Sequence, residues 1–591
     1  MLVVTALAYI NAAPDVLVFD DKEFLAKGQF TQLVPSDFAT FFSQSLWEAS
    51  GNTTKLYRPL LLVSLALESL AFGKWWTAYH LVNVSLHVLA TLCVFGFVRE
   101  ASWRSGEDRE RSHWAALMAA LVFGVHPVLS DAVNSVFNGS EIYVTIGVVG
   151  GLWYLLRHQR HHPLRAWLVL SLVYLWALLY RESAVSLPAL AVLMLWMTSQ
   201  DGWMPRLKRC LPVLVLLLPL AIYLGMRSHA LEPPSEAESA TGPVTALQEP
   251  AGEAVGPAGS VPAQETEGVL ARLDVRFDLA RTSKAVVVWF DGLKLVVWPH
   301  PLVIIHEPSR TPFWLAAVPQ LLLLSMALYA LIRGRPLFFT GLVFFYLAIL
   351  PSSRIVSENL MPPLLLERML YLPSAGLALA LAAGLGLLAR KTSMRVMVVA
   401  ATVLVLLLMP VTWARNQDWS DEIQLLENDF SVSEDSRQLL ISLAKVHAKS
   451  GNLIRSVALC GQYAELVRSG AHIARECANI FVASGNYDRA EDLYLTSLDR
   501  LRSNAWTHFE LARLYVRMDR REDAQPFFSE ALQREKVPFV REIMSAIMLV
   551  ELYPGDRSRL LEARRHLETA LRLQPRSAQA RQALSYVEQK L

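Results

Sequence analysis

MRVMVVAATVLVLLLMPVTWARNQDW, residues 394–419, contains the change of character on which the fold turns. Up to Trp413 it carries one charge, Arg395; from Arg415 the chain is charged and amphipathic to its end. Ten similar apolar runs precede it: residues 2–19, 76–98, 114–128, 141–156, 166–180, 183–197, 211–226, 313–332, 337–350 and 370–389. Several are shorter than the ~20 residues of a perpendicular membrane helix, but buried soluble helices do not come eleven in succession. Composition agrees: 53% of residues are hydrophobic and 18% charged, against about 25% charged in a soluble protein, and mean hydropathy is +0.32. A wholly soluble or wholly disordered chain is excluded, and a net charge of +2 leaves no nucleic-acid footprint. The expected fold is all-α: a polytopic membrane helical bundle of about 11 spans over residues 1–413, then a soluble helical domain over 414–591.

Orientation follows from the basic loops, because Lys and Arg gather on the cytoplasmic side. Arg99/Arg104/Arg109/Arg111, Arg157/Arg160/Arg165, Arg206/Lys208/Arg209, Arg333/Arg335 and Arg390/Lys391/Arg395 all fall on one side if the first run leaves the cytoplasm. The opposite loops then face outward. One of them, residues 229–268, holds seven Glu, six Pro and no Lys or Arg, the composition of a disordered, solvated segment. Residues 57–72 and 284–298 are apolar but fit badly as spans; the former is expected to lie at the outer surface or to be partly re-entrant, the latter to be interfacial. An odd number of spans places the C-terminal domain outside the cytoplasm.

That domain repeats at 34 residues. Ala444, Ala478 and Ala512 share the spacing, as do Gly451, Gly485 and Asp519, Ala490 and Ala524, and Leu498 and Leu532. A further unit begins near Ala563 after an insertion around residues 553–558. The period is that of a tetratricopeptide α-solenoid: small residues let paired helices approach and Gly permits the turn. Its concave groove is expected to dock a protein partner; a structural or dimerising cap is the plainer reading. The four cysteines show neither CxxC nor zinc spacing, and Cys460 and Cys477 are expected to be inert buried thiols rather than a pair.

Ionisable groups at membrane depth cost about 2.5–3.5 kcal/mol each and tend to mark function. Asp20-Asp21 follow the first run in VLVFDDKEF and suit a general base, a metal ligand or a helix cap. Arg58 lies in YRPL; His80, Asn83 and His87 lie on one helix face of AYHLVNVSLH, where packing alone is the competing account. His126, then Asp131, Asn134, Asn138 and Glu141, border the third run; Arg181-Glu182 separate two others; Glu367, Arg368 and Tyr371 open LLLERMLYLPSAG. All these clusters are expected at the outer face. There Arg58 and Arg368 can hold a phosphate, and an Asp can take a proton from an incoming hydroxyl. A metal is not demanded, since no ligand spacing requires it, although a divalent ion remains compatible with two Asp and several His.

In order, FDD, YRPL, H-x-x-N-x-x-x-H, V-H-P, N-G-S-E, R-E-S, E-R-x-L-Y-L-P-S and R-N-x-x-W before a tetratricopeptide tail resemble the transmembrane and tetratricopeptide-repeat O-mannosyltransferases and their bacterial relatives, of the GT-C glycosyltransferases. The resemblance implies inverting transfer of a sugar from a polyprenyl-phosphate donor to a protein or glycan acceptor, with Asp20 or Asp21 as base and Arg368 near the donor phosphate. It implies a multi-pass protein of a bacterial inner membrane, or of the endoplasmic reticulum in a eukaryote, with the tail extracytoplasmic. Departures are the acidic insert and a first run without a basic flank, read as an incomplete or wrongly started N-terminus. Two other classes compete: a non-catalytic scaffold acting through its repeats, and a transporter. Against the latter, the polar residues gather at the outer face, whereas transport sites commonly lie near the bilayer midplane.

Overall fold

The structure, a computed structural model, describes residues 1–25, 35–46, 56–231, 279–307, 311–353, 365–574 and 577–591. Most of the acidic segment 229–268 lies outside them. Of the described residues, those up to Val432 form one compact unit and those from Ser433 a second. The first unit runs past the expected 413 because the Glu422–Val432 helix returns Asp429 to Arg415, at 2.6 Å.

Among the described residues of the first unit, eight helices are long and apolar enough to cross a membrane: Trp76–Arg104, Phe137–His158, Pro163–Tyr180, Trp203–Leu231, Phe313–Ile332, Pro336–Ser353, Glu367–Lys391 and Met394–Asp418. Arg109–Gly124 with Pro127–Asn134, bent by 54°, makes a ninth. Among the described residues, eight or nine therefore stand where about eleven were expected. Residues 2–19 are helical only over Leu2–Ala8, too short to cross. Residues 183–197 form a 3-10 turn, Glu182–Ser186, and an 11-residue helix, Leu187–Met197. Pro59–Phe72 is a 14-residue helix started by its proline, whose missing N–H costs nothing at a first turn. Residues 284–298 fall mostly within the helix Leu279–Val297.

The packing sorts lipid-facing from core helices. Leu321, Leu322, Tyr329 and Ile332 of Phe313–Ile332 are exposed, whereas Phe97, Val148, Phe344 and Leu379 are buried. Helices Pro336–Ile349 and Tyr371–Lys391 approach so closely that a Cβ on Gly376 would lie 2.7 Å from the Gly341 carbonyl oxygen, the small-residue contact of membrane helix pairs. The basic loops meet at one end of the bundle: Arg390 pairs with Glu107 at 2.7 Å, Arg160 lies 3.8 Å from Asp201, and Arg209 binds the same Asp201.

The second unit is a run of antiparallel helix pairs from Arg437–Lys449 to Ala578–Lys590. The repeating alanines Ala444, Ala478, Ala490, Ala512, Ala524 and Ala563 are all fully buried, and the turn residues Gly451, Gly485 and Asp519 all have positive φ (84°, 76° and 57°). One expectation is overturned. Cys460 and Cys477 form a disulfide with Cα atoms 5.8 Å apart, because helices Leu453–Gln462 and Ala471–Ala483 bring their buried faces together. Closing a loop of this length is worth about 3 kcal/mol in the chain-entropy account. Denatured full chain alkylated without reductant is expected to label only Cys93 and Cys210, the two free thiols; label on Cys460 or Cys477 would contradict the pairing.

Candidate active site at the polar end of the bundle

Asp20 and Asp21 open the helix Asp20–Leu25, yet their surroundings differ. The Asp21 carboxylate is buried and accepts the Val136 N–H (2.8 Å), the Phe137 N–H (2.7 Å) and the Ser135 hydroxyl (3.0 Å). It thus satisfies backbone donors left unpaired where the span beginning at Phe137 starts. Burial pushes Asp21 up to about 7 against the pull of those donors. Among the described residues no hydrogen bond closes on Asp20. Burial raises its carboxyl above the ordinary range, with the Arg368 guanidinium as the main opposing influence and Asp131, Arg58 and Arg181 also within electrostatic reach.

The three cations differ in the same way. Arg58 grips both oxygens of Glu182, at 3.1 and 2.6 Å, a bidentate fork. Arg181 lies 2.9 Å from Glu141 and 3.1 Å from the Ser140 hydroxyl. Ser183 donates to the other Glu141 oxygen at 3.2 Å. Arg368 is held only loosely. Its backbone N–H donates to Asp131 at 3.1 Å, its guanidinium stays 3.8 Å from that carboxylate, and its buried Nε has no partner. Asp20 therefore faces one cation with donors to spare.

The remaining expected site residues brace the loops. His80 Nε2 lies 3.0 Å from the Val16 carbonyl oxygen, and Asn83 donates to the carbonyls of Val133 and Ser135 at 3.3 and 2.9 Å. His87 lies between the Tyr371 hydroxyl (2.6 Å) and the Gly124 carbonyl (3.0 Å), and His126 reaches the Val296 carbonyl at 2.8 Å. Each of these rings or amides is buried. Glu367 belongs to a separate cluster. It accepts the Val303 N–H at 2.6 Å, with His306 at 3.3 Å and Arg415 at 3.9 Å. Arg415 reaches both Asp429 oxygens, at 2.6 and 3.3 Å, and Asp429 accepts the Ile304 N–H at 2.8 Å. Burial holds His306 down at about 4, so at neutral pH it adds no charge. Among the described residues, no group of three or more His, Cys, Asp or Glu side chains is placed to hold a metal ion.

The chain is similar to curated protein O-mannosyl-transferases. It is 31% identical over 185 residues to protein O-mannosyl-transferase Tmtc1 of Drosophila melanogaster (30% of this chain, 20% of that one). Over 468 residues it is 24% identical to protein O-mannosyl-transferase F38B6.6 of Caenorhabditis elegans (76% and 60%). Drosophila Tmtc2 is 28% identical over 191 residues (30% and 19%). The matches thus span from about a fifth to three fifths of these relatives, which are animal rather than bacterial proteins. No protein-family model matches. The solved structure of yeast Tom70 aligns over 84% of this chain and 88% of its own at 12% identity and a TM-score of 0.24, too low to bear on the fold.

Two members of the polar clusters that carry no assigned role, Asp131 and Arg181, also stand at the polar end, together with Glu68, which was not among the expected residues. Asp131 bonds the Arg368 backbone and accepts from Asn138 at 3.2 Å. Arg181 stands beside Asp20 in the electrostatic sense already given. Glu68, the lone charge of Pro59–Phe72, lies within electrostatic reach of Asp21, Tyr143 and Tyr180. A carboxylate inside an otherwise apolar run was the available signal. His306 and Asp429 had none, since they lie in loop and amphipathic contexts where polar residues are ordinary.

Proposed function

We propose that this chain is an integral membrane glycosyltransferase that moves a sugar, mannose by its relatives' names, from a polyprenyl phosphate to a hydroxyl of a protein or glycan, with Asp20 as general base. The supporting observation is the contrast between the two aspartates: Asp21 is occupied by three donors, while Asp20 is unbonded among the described residues beside the under-paired Arg368. In this reaction Asp20 takes the proton of the acceptor hydroxyl as its oxygen attacks the anomeric carbon. The bond from that carbon to the phosphate oxygen breaks, and its electron pair leaves with the phosphate. Arg368 offers its free N–H groups to the charge that develops there. A single displacement of this kind inverts the anomeric centre. Arg58 and Arg181, neutralised by Glu182 and Glu141, shape the site.

Sidedness follows from the charge rule: the end where the basic loops meet is cytoplasmic, so the site and the repeat domain face outward, into the bacterial periplasm or the lumen of the endoplasmic reticulum. The Cys460–Cys477 disulfide suits such an oxidising compartment, where the tetratricopeptide groove would dock a protein partner.

The test supplies purified full-length protein with an acceptor and either polyprenyl-phosphate mannose or a nucleotide mannose. Transfer from the lipid donor alone supports the reading; transfer from the nucleotide sugar alone rejects it. A base works only when deprotonated, and burial raises Asp20. The acid limb of kcat/KM is therefore expected to fall above the ~3.9 of an ordinary aspartate. Activity is retained above that limb and lost as pH drops through it; a limb at or below the ordinary value would remove Asp20 from the role.

A further inference from the structure

A groove lined by none of the residues around the aspartates opens on the bundle. It has a volume of about 720 Å³ between helices Trp76–Arg104, Ser140–His158 and Pro163–Tyr180, with Cys93, Gly150 and Trp176 along its length and Trp153, Arg157 and His158 toward the end where the basic loops meet. All three helices have the length and apolarity of spans, so the cavity lies at hydrocarbon depth. Gly150 has no side chain to fill it; a Cβ there would stand 3.4 Å from the Cys93 sulfur.

The polar groups along this cavity are few and ordered. Arg157 is exposed on the last turn of its helix, and the Trp153 Nε1–H, four residues earlier on the same face, is buried without a hydrogen-bond partner. An indole N–H at such a depth ordinarily finds an acceptor. From Arg157 back to Gly147 the apolar part runs about 15 Å along the helix.

The geometry points to a resident anionic glycerophospholipid at this site: its phosphate on the Arg157 guanidinium, an ester carbonyl accepting the Trp153 N–H, and one acyl chain running past Gly150 toward Trp176. Charge chooses the occupant. The cation and the free N–H both stand at the basic end, as a headgroup of that leaflet requires. A prenyl chain whose phosphate sat near Asp20 would present only hydrocarbon to both. The inference rests on the membrane placement of the helices and is independent of the transfer reaction.

The test is native mass spectrometry of the full-length protein from micelles containing equal phosphatidylglycerol and phosphatidylcholine. The expected spectrum shows one phosphatidylglycerol retained in preference to phosphatidylcholine. Arg157→Gln, at an exposed position that does not threaten folding, should weaken that retention about tenfold, the scale of one charged hydrogen bond. Trp153→Phe should weaken both lipids, and Gly150→Leu should abolish the adduct while the protein still elutes as a folded species. Equal retention of the two lipids, an adduct unchanged in Arg157→Gln, or displacement of phosphatidylglycerol by a C55 polyprenyl phosphate would each overturn the assignment.

Discussion

Asp20→Asn is expected to lower turnover by about two to four orders of magnitude, the usual worth of a positioned general base, while leaving the melting temperature of the detergent-solubilised protein unchanged. The second half of that expectation matters as much as the first. No hydrogen bond among the described residues depends on Asp20, so an amide of the same shape removes basicity and little else. Asp21→Asn should behave in the opposite manner. Its carboxylate accepts three donors, and an amide, which carries only one acceptor oxygen, leaves a buried donor facing an NH2 group. That costs about 1–3 kcal/mol and lowers stability, with activity falling only as far as the loop moves. A transfer assay and a melting curve on both variants separate the roles. Full turnover in Asp20→Asn would return the catalytic assignment to its starting point.

The largest loss of stability is expected from Arg415→Met. Among the described residues, Arg415 is the guanidinium paired with two buried carboxylates, Glu367 and Asp429, with His306 neutral beside them. Replacing a whole buried ion cluster by apolar groups can be neutral, but removing one partner costs about 3–5 kcal/mol because the remaining charge stays buried and uncompensated. The methionine variant should therefore unfold at markedly lower temperature at pH 7. Burial already raises Asp429, so protonation relieves part of the stranded charge. Between the folded and unfolded pKa values of a raised acid the folded state binds more protons, and stability falls as pH rises. The variant should accordingly recover stability toward mildly acidic pH, read as a melting temperature that rises as pH is lowered from 7 to 5.5. A variant as stable as the parent at pH 7 would show that the cluster carries no such strain.

Much of the architecture is legible in residue order, and the reasons are local. The apolar runs announce the bundle because length and hydropathy are properties of a segment alone. The 34-residue spacing of Ala444, Ala478 and Ala512 announces the solenoid because each repeat solves the same packing problem. What failed to show was nonlocal. The run 2–19 has the hydropathy of a span but breaks after Ala8, where Tyr9 and Asn11 turn to reach the His126 and Trp413 carbonyls, at 3.4 and 3.0 Å. Cys460 and Cys477 give no spacing signal; only the helix pairing brings them within bonding distance. The candidate site follows the same division. Its residue types were readable, but the division of labour was not. That Asp21 is consumed by donors, that His80, Asn83 and His87 brace loops, and that Arg368 has spare N–H groups depend on partners tens to hundreds of positions away.

The pairing of Arg58 with Glu182 and of Arg181 with Glu141 limits how this protein can vary over generations. Each couple joins segments distant in the chain; losing Glu182, Glu141 or Arg181 strands a buried partner, whereas losing Arg58 leaves Glu182 half-exposed to solvent. A lone replacement of Glu182, Glu141 or Arg181 should therefore cost stability. Descendants are expected to keep the fully buried Arg181–Glu141 couple or exchange it whole, with more latitude at Arg58, whose partner is half-exposed.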